Sequence, residues 1–332
     1  MTIDWQNPEI QFAADTVRQA AGLVRIIQQE LVEPALTKDD RSPVTVADFA
    51  AQCVAGCMLE RAFPGDPLVG EESADALKEP GNETALDLVV KYAGRAVAYA
   101  TANTVCDWID RGAGKPAQRF WTIDPIDGTK GFLRGEQYAV ALALIEDGQT
   151  RIGALGCPNL GVNGQPDYGG SGSIMIAARG QGAWAAPLDD PGAQPRPLRV
   201  SGAADPAQAR VLRSVESGHT NVGQLDHILA HMGNAAEPVQ MDSQAKYGAL
   251  AAGHGDLLFR LLSPSKPDYR EMIWDQAAGS LIVEEAGGQV SDIEGRPLDF
   301  SAGKTLARNR GVLASNGELH NAALEAIAAT AG

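Results

Sequence analysis

The sequence predicts an α+β half joined to an α/β half, with the elements stacked in layers. Helical periodicity in the first hundred residues gives way to a meander of short apolar strands. Beyond a Pro-rich stretch at 187–197, short strands alternate with helices. A meander followed by strand–helix alternation indicates two sheets of different construction in one chain. We therefore predict an N-terminal subdomain over residues 1–190 and a C-terminal subdomain over residues 198–332.

The N-terminal part begins with three helical patterns. Apolar residues recur at helical spacing over 8–33, and a second helix is predicted to start near Thr45 and to run through Arg61. The polar segment 37–47 between them is predicted to be a mobile loop that carries Asp48 into a site. A third helix is predicted over 84–103.

A meander follows these helices. One strand is predicted to end in a turn at Pro125, and the dipeptide Asp147-Gly148 favours a tight hairpin between two others. The strands before the Pro-rich stretch are predicted at 67–70, 121–124, 138–145, 151–156, 173–178 and 182–184. After it, strands are predicted at 211–215, 238–241 and 256–262, and helices at 221–232, 244–252, 274–286 and 317–330.

Charge and composition exclude several classes of protein. The 332 residues include 27 Lys and Arg against 42 Asp and Glu, a net charge of −15. That balance disfavours binding to nucleic acid or to an anionic membrane surface. No apolar run approaches the ~20 residues of a membrane span, and the first residues lack a secretory pattern, so we expect a cytoplasmic protein. The four cysteines form no zinc pattern and are predicted to be reduced, buried thiols.

The segment around Asp124 and Asp127 is the strongest candidate for chemistry. The two carboxylates lie three residues apart across Pro125, and Gly128 allows close approach of a ligand before a helix begins. Two hard oxygen ligands beside an anion cradle suit Mg²⁺ together with a phosphate. The alternative is an Asx-turn and helix cap.

Three other acidic residues extend the pattern. Asp48 lies in Thr45-Val-Ala-Asp48, Glu71 follows a short apolar strand, and Asp275 follows Trp274 at a predicted helix start. Each alone is equally consistent with a cap or a solvated charge.

Together these motifs identify a family. Gly70-Glu-Glu-Ser73, Asp124-Pro-Ile-Asp-Gly-Thr129 and Trp274-Asp-Gln-Ala-Ala-Gly279 resemble the inositol monophosphatase superfamily in order and spacing. The longer segments 38–48 and 124–138 resemble the 3′(2′),5′-bisphosphate nucleotidases within it. The resemblance covers nearly the whole chain.

The resemblance implies a fold and a metal site. The fold is the layered α/β/α/β/α sandwich of the inositol monophosphatase and fructose-1,6-bisphosphatase type. The activity is that of a lithium-sensitive phosphatase that uses two or three Mg²⁺ ions. Carried over residue by residue, Asp48 and Thr129 would orient and deprotonate the attacking water. The metal ligands would be Glu71, Asp124, Asp127, Asp275 and the carbonyl of Ile126.

Cations for a phosphorylated substrate lie mainly in the C-terminal half. Ser243 and Lys246 are one turn apart at a predicted helix start, and Arg260 lies in a predicted strand. His219 lies in a loop after a strand, where it could contact a base or a phosphate. The resemblance assigns substrate binding to Gly128, Thr129, His219, Ser243, Lys246, Arg260 and Asp275.

The function predicted from the resemblance is removal of the 3′-phosphate of 3′-phosphoadenosine 5′-phosphate, giving AMP. The phosphosulfate analogue, 3′-phosphoadenylyl sulfate, is a second candidate substrate, and the chemistry belongs to sulfur assimilation. Two alternatives remain: an inositol phosphate phosphatase, because the metal motifs are shared, and a catalytically silent protein that senses the nucleotide. Under both the nucleotidase and the nucleotide-sensor hypotheses, the partner is a small molecule.

Overall fold

The computed structural model describes residues 2–32, 42–215, 221–263 and 265–330. The N-terminal helices pack together on one side of the molecule. They are α1 (Pro8–Ile27, continued by a π-helical turn over Gln28–Val32), α2 (Ser42–Ala62), α3 (Asp75–Lys78), α4 (Glu83–Ala96) and α5 (Ala102–Asp110). Helix α1 begins after Asn7, whose side chain accepts hydrogen bonds from the amides of Glu9 (2.8 Å) and Ile10 (3.2 Å).

Two expectations about these helices were wrong. The predicted helix over 84–103 is divided into α4 and α5, because Thr101 caps a new helix by accepting a hydrogen bond from the amide of Thr104. The predicted loop 37–47 is already helical from Ser42, so Asp48 lies inside α2. Residues 33–41 lie outside the described residues.

The first sheet has seven strands in sequence order. Strand β1 is parallel to β2, and every other neighbouring pair is antiparallel. The strands are β1 (Leu68–Gly70), β2 (Arg119–Asp127), β3 (Ala139–Glu146), β4 (Gln149–Cys157), β5 (Ser173–Ala178), β6 (Gly182–Pro187) and β7 (Arg196–Pro197). The short helix α6 (Thr129–Arg134) lies between β2 and β3.

Strand β2 does not end at Pro125 as predicted. It continues to Asp127, and its register with β3 shifts between Asp124 and Asp127. A proline cannot donate to the ladder, so it is accommodated where pairing is interrupted. By contrast, the predicted hairpin at Asp147-Gly148 is confirmed, with φ angles of 51° and 72° at the two residues.

The second sheet has five strands in the order β11-β12-β10-β8-β9. They are β8 (Val211–Arg213), β9 (Val239–Gln240), β10 (Leu257–Arg260), β11 (Gln289–Ser291) and β12 (Val312–Ser315). The helices of this half are α7 (Val222–His231), α8 (Ala245–Ala251), α9 (Ala277–Glu285) and α10 (His320–Thr330). Strands β11 and β12 were not predicted, because neither shows a distinctive alternation of apolar and polar residues.

Three buried apolar clusters define the layers. The first lies between α1, α2 and one face of the seven-stranded sheet. The second fills the space between the other face of that sheet and the five-stranded sheet, and it contains α8 and α9. The third lies between the second sheet and helices α7 and α10. The order is therefore α/β/α/β/α, which confirms the predicted sandwich; the subdomain boundary at 190–198 stays a prediction.

All four cysteines are buried and unbonded to one another, as expected. Within the described ranges, the helices lack a stretch both long and apolar enough to span a bilayer. The expected cytoplasmic location stays a prediction.

His320, at the start of α10, makes the folded state sensitive to acid. The buried imidazole contacts the hydroxyls of Ser291 and Ser315, each at 2.9 Å. Burial lowers the pKa of His320 to about 4. The Ser315 hydroxyl accepts a hydrogen bond from the amide of Gly317 and can donate its own proton to Nδ1 of His320. A protonated imidazole has no free lone pair to accept that hydrogen bond, so the arrangement favours neutral His320.

We expect the free energy of unfolding to fall as the pH is lowered from about 6.5 to about 4, by about 3 kcal/mol from this residue. The unfolded chain binds a proton on His320 in that window and the folded chain does not. Chemical denaturation at a series of pH values measures the slope. His320→Gln should reduce it, whereas a matched change at exposed His227 should not. Equal slopes in all three proteins would contradict the assignment.

Candidate active site

A cleft of about 270 Å³ lies where the two sheets approach each other. One wall is formed by the ends of β1 and β2 and the start of α6, and the other by the segment before α8, the end of β10 and the segment before α9. The predicted site residues that line it are Glu71, Asp124, Ile126, Asp127, Gly128, Thr129, Ser243, Lys246, Arg260 and Asp275. Residues far apart in sequence are thus brought to one place.

The acidic wall is built on the irregular end of β2. Asp124 is buried, and its Oδ1 has no hydrogen-bond partner among the described residues. Asp127 lies at the last position of the strand, where its Oδ2 accepts a hydrogen bond from the amide of Gln244 at 2.6 Å. The register shift between the two aspartates therefore directs both carboxylates to the cleft.

The carboxylates of this wall repel one another. Burial raises the pKa of Asp124 well above its usual range, and the charges of Asp127, Glu71, Asp275 and Asp48 add to the effect. Burial, with the charges of Glu72 and Asp127, also raises the pKa of Glu71 to about 7. A bound cation would stabilise the charged form of carboxylates that are buried close to one another.

The donor set fits a hard divalent cation such as Mg²⁺. Within the described chain, no three or more His, Cys, Asp or Glu side chains converge closely enough to hold a metal ion by themselves. Mg²⁺ does not require such a group, because it usually binds one or two carboxylates and completes its shell with water and substrate phosphate. The unpartnered oxygen of Asp124 and the neighbouring carboxylates of Glu71 and Asp127 meet that requirement.

Asp48 is buried in α2 and is not among the side chains that line the cleft in the described chain. Burial raises its pKa well above the usual range, with additional contributions from Glu72 and Glu71. Thr129 is exposed at the start of α6 and lines the cleft. The assignment of these two residues to a shared water stays a prediction.

Gln52, one turn after Asp48 in α2, positions the end of β1. Its Oε1 accepts from the amide of Glu72 at 3.0 Å, and its Nε2 donates to the carbonyls of Glu72 (2.7 Å) and Ile109 (2.9 Å). A Cβ at Gly112 would lie 2.3 Å from Gln52 Nε2, so the amide requires a glycine there. The sequence analysis missed Gln52, although a polar residue on the same helical face as Asp48 is the available signal.

The junction of the two walls requires a second glycine. Gly128 has a φ of 88°, and a Cβ there would lie 2.8 Å from the Cβ of Ser243. Ser243 has a φ of 64°, which is uncommon for a residue with a side chain. The start of α6 and the segment before α8 thus come into direct contact, and this contact sets the width of the cleft.

Asp242 links the same two segments and was also missed by the sequence analysis. Its carboxylate pairs with Arg134 at the end of α6 and accepts from the amide of Val215 at 3.1 Å. No sequence signal distinguishes Asp242 from a surface aspartate. His219 lies outside the described residues.

The basic wall carries Lys246 and Arg260. Lys246 is 3% exposed, and burial lowers its pKa to about 8 although Asp127 opposes that shift. Arg260 is half-buried, and the charge and the hydrogen bond of Glu271, at 2.6 Å, outweigh the desolvation and raise its pKa. Lys246 and Arg260 therefore face the carboxylates of Glu71, Asp124 and Asp127 across the cleft, an arrangement suited to an anionic ligand bound together with metal.

Comparison with known proteins identifies the family. A family model described as the inositol monophosphatase family matches residues 5–331. The chain belongs to this family. Among curated members, a 3′(2′),5′-bisphosphate nucleotidase of Schizosaccharomyces pombe is 42% identical, covering 97% of this chain and 96% of its own. The 3′(2′),5′-bisphosphate nucleotidase 1 of Candida albicans (strain SC5314) is 38% identical and covers 96% and 94%.

The inositol monophosphatase fold is also found in solved structures. Mycobacterium tuberculosis SuhB superposes with a TM-score of 0.63 at 22% identity, covering 97% of this chain and 96% of its own. At that identity the similarity establishes the fold alone. The predictions of family and fold are thus confirmed, whereas the roles of individual site residues stay predictions.

Proposed function

We propose that this member of the inositol monophosphatase family is a magnesium-dependent 3′(2′),5′-bisphosphate nucleotidase. It would remove the 3′-phosphate of 3′-phosphoadenosine 5′-phosphate, giving AMP and phosphate, and act on 3′-phosphoadenylyl sulfate as a second substrate. The observation that carries the proposal is a cleft in which carboxylates at the ends of β1 and β2 face a wall that carries Lys246 and Arg260. A substrate with two phosphates matches both walls, and relatives of 42% and 38% identity carry this name.

Each wall has its own task in this proposal. Magnesium ions, when bound, supply Lewis-acid polarisation of the phosphate oxygens and lower the pKa of water. Two or three ions would be held by Glu71, Asp124, Asp127, Asp275 and the carbonyl of Ile126. Asp48 and Thr129 would orient the attacking water and take its proton.

On the basic wall, Ser243, Lys246 and Arg260 would bind the phosphate that is not hydrolysed. Gly128 and Thr129 would contact the phosphate that is hydrolysed, because they lie at the junction of the two walls. His219 is proposed to contact the base or a phosphate.

Phosphate release tests the proposal. The purified protein is incubated with 3′-phosphoadenosine 5′-phosphate, 3′-phosphoadenylyl sulfate or inositol 1-phosphate, each with and without Mg²⁺, and with Li⁺ added. We expect release from the nucleotides that depends on Mg²⁺ and is inhibited by Li⁺. Such activity would fit a role in sulfur assimilation. Faster release from inositol 1-phosphate would favour an inositol phosphate phosphatase, and binding without turnover would favour a nucleotide sensor.

Lys246→Ala tests the assignment of the basic wall. If Lys246 binds the phosphate that is not hydrolysed, the substitution should raise KM for the bisphosphate nucleotide about tenfold and lower kcat less. The effect on 3′-AMP, which lacks the second phosphate, should be smaller. Steady-state kinetics on the two substrates measure the difference. An equal loss on both would place Lys246 at the reacting phosphate or in the structure.

A further inference from the structure

Arg260 is held by a hydrogen-bonded network that the proposed reaction does not use directly. Its Nη2 donates to Oε2 of Glu271 at 2.6 Å, and the same oxygen accepts from Nε2 of Gln276 at 2.8 Å. The hydroxyl of Tyr247 in turn donates to Oε1 of Gln276. Glu271 is 5% exposed and Gln276 is 1% exposed. The network is therefore shielded from solvent, and its side chains come from α8, β10 and the segment before α9.

The network has the residues of the proposed site on both sides. Tyr247 follows Lys246, and Gln276 follows Asp275. Glu271 is the only charged partner of Arg260 among the described residues at hydrogen-bond distance. The Nε of Arg260 is buried and has no partner in the same part of the chain. Arg260 is thus bound to Glu271 on one side and retains donor capacity for a ligand.

Arg260 also lies between two cavities. It lines the cleft and an adjoining cavity of about 230 Å³, whose other lining residues include Ser263, Lys266 and Glu271. An arginine side chain beside empty space has other rotamers available to it. The ion pair with Glu271 is what holds the guanidinium at the wall of the cleft.

We propose that Glu271 is a positioning residue that holds Arg260 for the phosphate retained in the product. The inference rests on the proposed function, since it names the ligand of the same cleft. Without the carboxylate, the guanidinium loses its charged partner and is free to turn into the adjoining cavity. A planar guanidinium fixed on one side by a carboxylate binds a phosphate with less loss of side-chain entropy than a mobile one. Glu271 would therefore contribute to selection of a bisphosphate without touching it.

Binding of AMP tests the inference, because AMP carries the retained phosphate and is not hydrolysed by the proposed reaction. Calorimetry with Mg²⁺ compares AMP with adenosine, which has no phosphate. Glu271→Gln should weaken AMP binding about tenfold and change adenosine binding less than about twofold. Glu271→Asp, which keeps the charge on a shorter side chain, should lose about threefold. It also serves as a second variant should the first fail to fold.

A double-mutant cycle distinguishes positioning from a structural role. In an Arg260→Ala background, Glu271→Gln should weaken AMP binding no further, because Glu271 acts through Arg260. Asp256→Asn is the matched control: Asp256 is a buried carboxylate paired with Arg210 at 2.7 Å, just before β10, and lies outside the cleft lining. It should lower stability and leave the preference for AMP over adenosine unchanged.

Additive losses in the cycle, or equal weakening of AMP and adenosine, would overturn the role of Glu271. So would a wild-type protein that binds AMP no more tightly than adenosine. Failure of the proposed function gives a different result, namely absence of phosphate release from 3′-phosphoadenosine 5′-phosphate by the wild type. In that case the AMP cycle still decides whether Glu271 positions Arg260.

Discussion

Asp124→Asn is expected to lower kcat about 100-fold or more without destabilising the fold. The carboxylate is buried, its Oδ1 has no partner among the described residues, and its pKa is raised by burial and by the surrounding acids. The amide of asparagine has nearly the same volume but no negative charge. It therefore weakens metal binding, and it also relieves the repulsion between Asp124 and the neighbouring carboxylates. Activity at saturating Mg²⁺, Mg²⁺ affinity by calorimetry and the free energy of unfolding without metal are the three measurements.

Asp292→Asn provides the matched control for Asp124. Asp292 is equally buried, but its carboxylate accepts hydrogen bonds from Arg296 and Asn309 and lies outside the cleft lining. Its substitution should cost about 1–3 kcal/mol of stability and leave kcat nearly unchanged. Near-normal turnover in Asp124→Asn would refute the assignment of this carboxylate to the metal.

Asp48→Asn and Thr129→Val should each lower kcat severely, by about 100-fold, and the double variant should be little worse than the worse single variant. That result is expected if both residues act on one water. The two lie on different elements, α2 and α6, and α2 contacts α6. Thr129→Val keeps the β-branched shape, so binding of AMP and Mg²⁺, followed by calorimetry, should survive.

Independent roles predict that the free-energy losses add. Additive losses, or loss of Mg²⁺ binding in Thr129→Val, would instead assign Thr129 to the start of the helix alone. A matched Thr→Val change is available at Thr150, which is buried in β4 and lies outside the cleft lining. Its hydroxyl has no hydrogen-bond partner among the described residues. That variant should retain normal turnover.

Motif positions with distinctive chemistry were predictable from the sequence. Glu71, Asp124 and Asp275 lie in short sequence motifs that are typical of the family, and the fold places all three in the lining of one cleft. The hairpin at Asp147-Gly148 was predictable because the turn depends on two adjacent residues only. Sequence patterns therefore predicted the features that depend on a few adjacent residues.

Other features depend on contacts between distant segments. Gln52 and Asp242 resemble ordinary polar residues until the fold places an amide or an arginine beside them. The continuation of β2 through Pro125 depends on its pairing with β3, which tolerates the interruption. Short strands such as β11 and β12 owe their conformation to their neighbours in the sheet rather than to their own periodicity.

The layer formed by α8 and α9 between the two sheets has a consequence for synthesis on the ribosome. One face of the seven-stranded sheet is covered by α8 and α9, which come from the C-terminal half of the chain. All seven strands have been translated by Pro197, but α9 ends only at Glu285. Until then the nascent sheet exposes an apolar face to water, a form prone to association with other chains. The partly translated chain should therefore bind chaperones most strongly between these two points, and release should coincide with the emergence of α9.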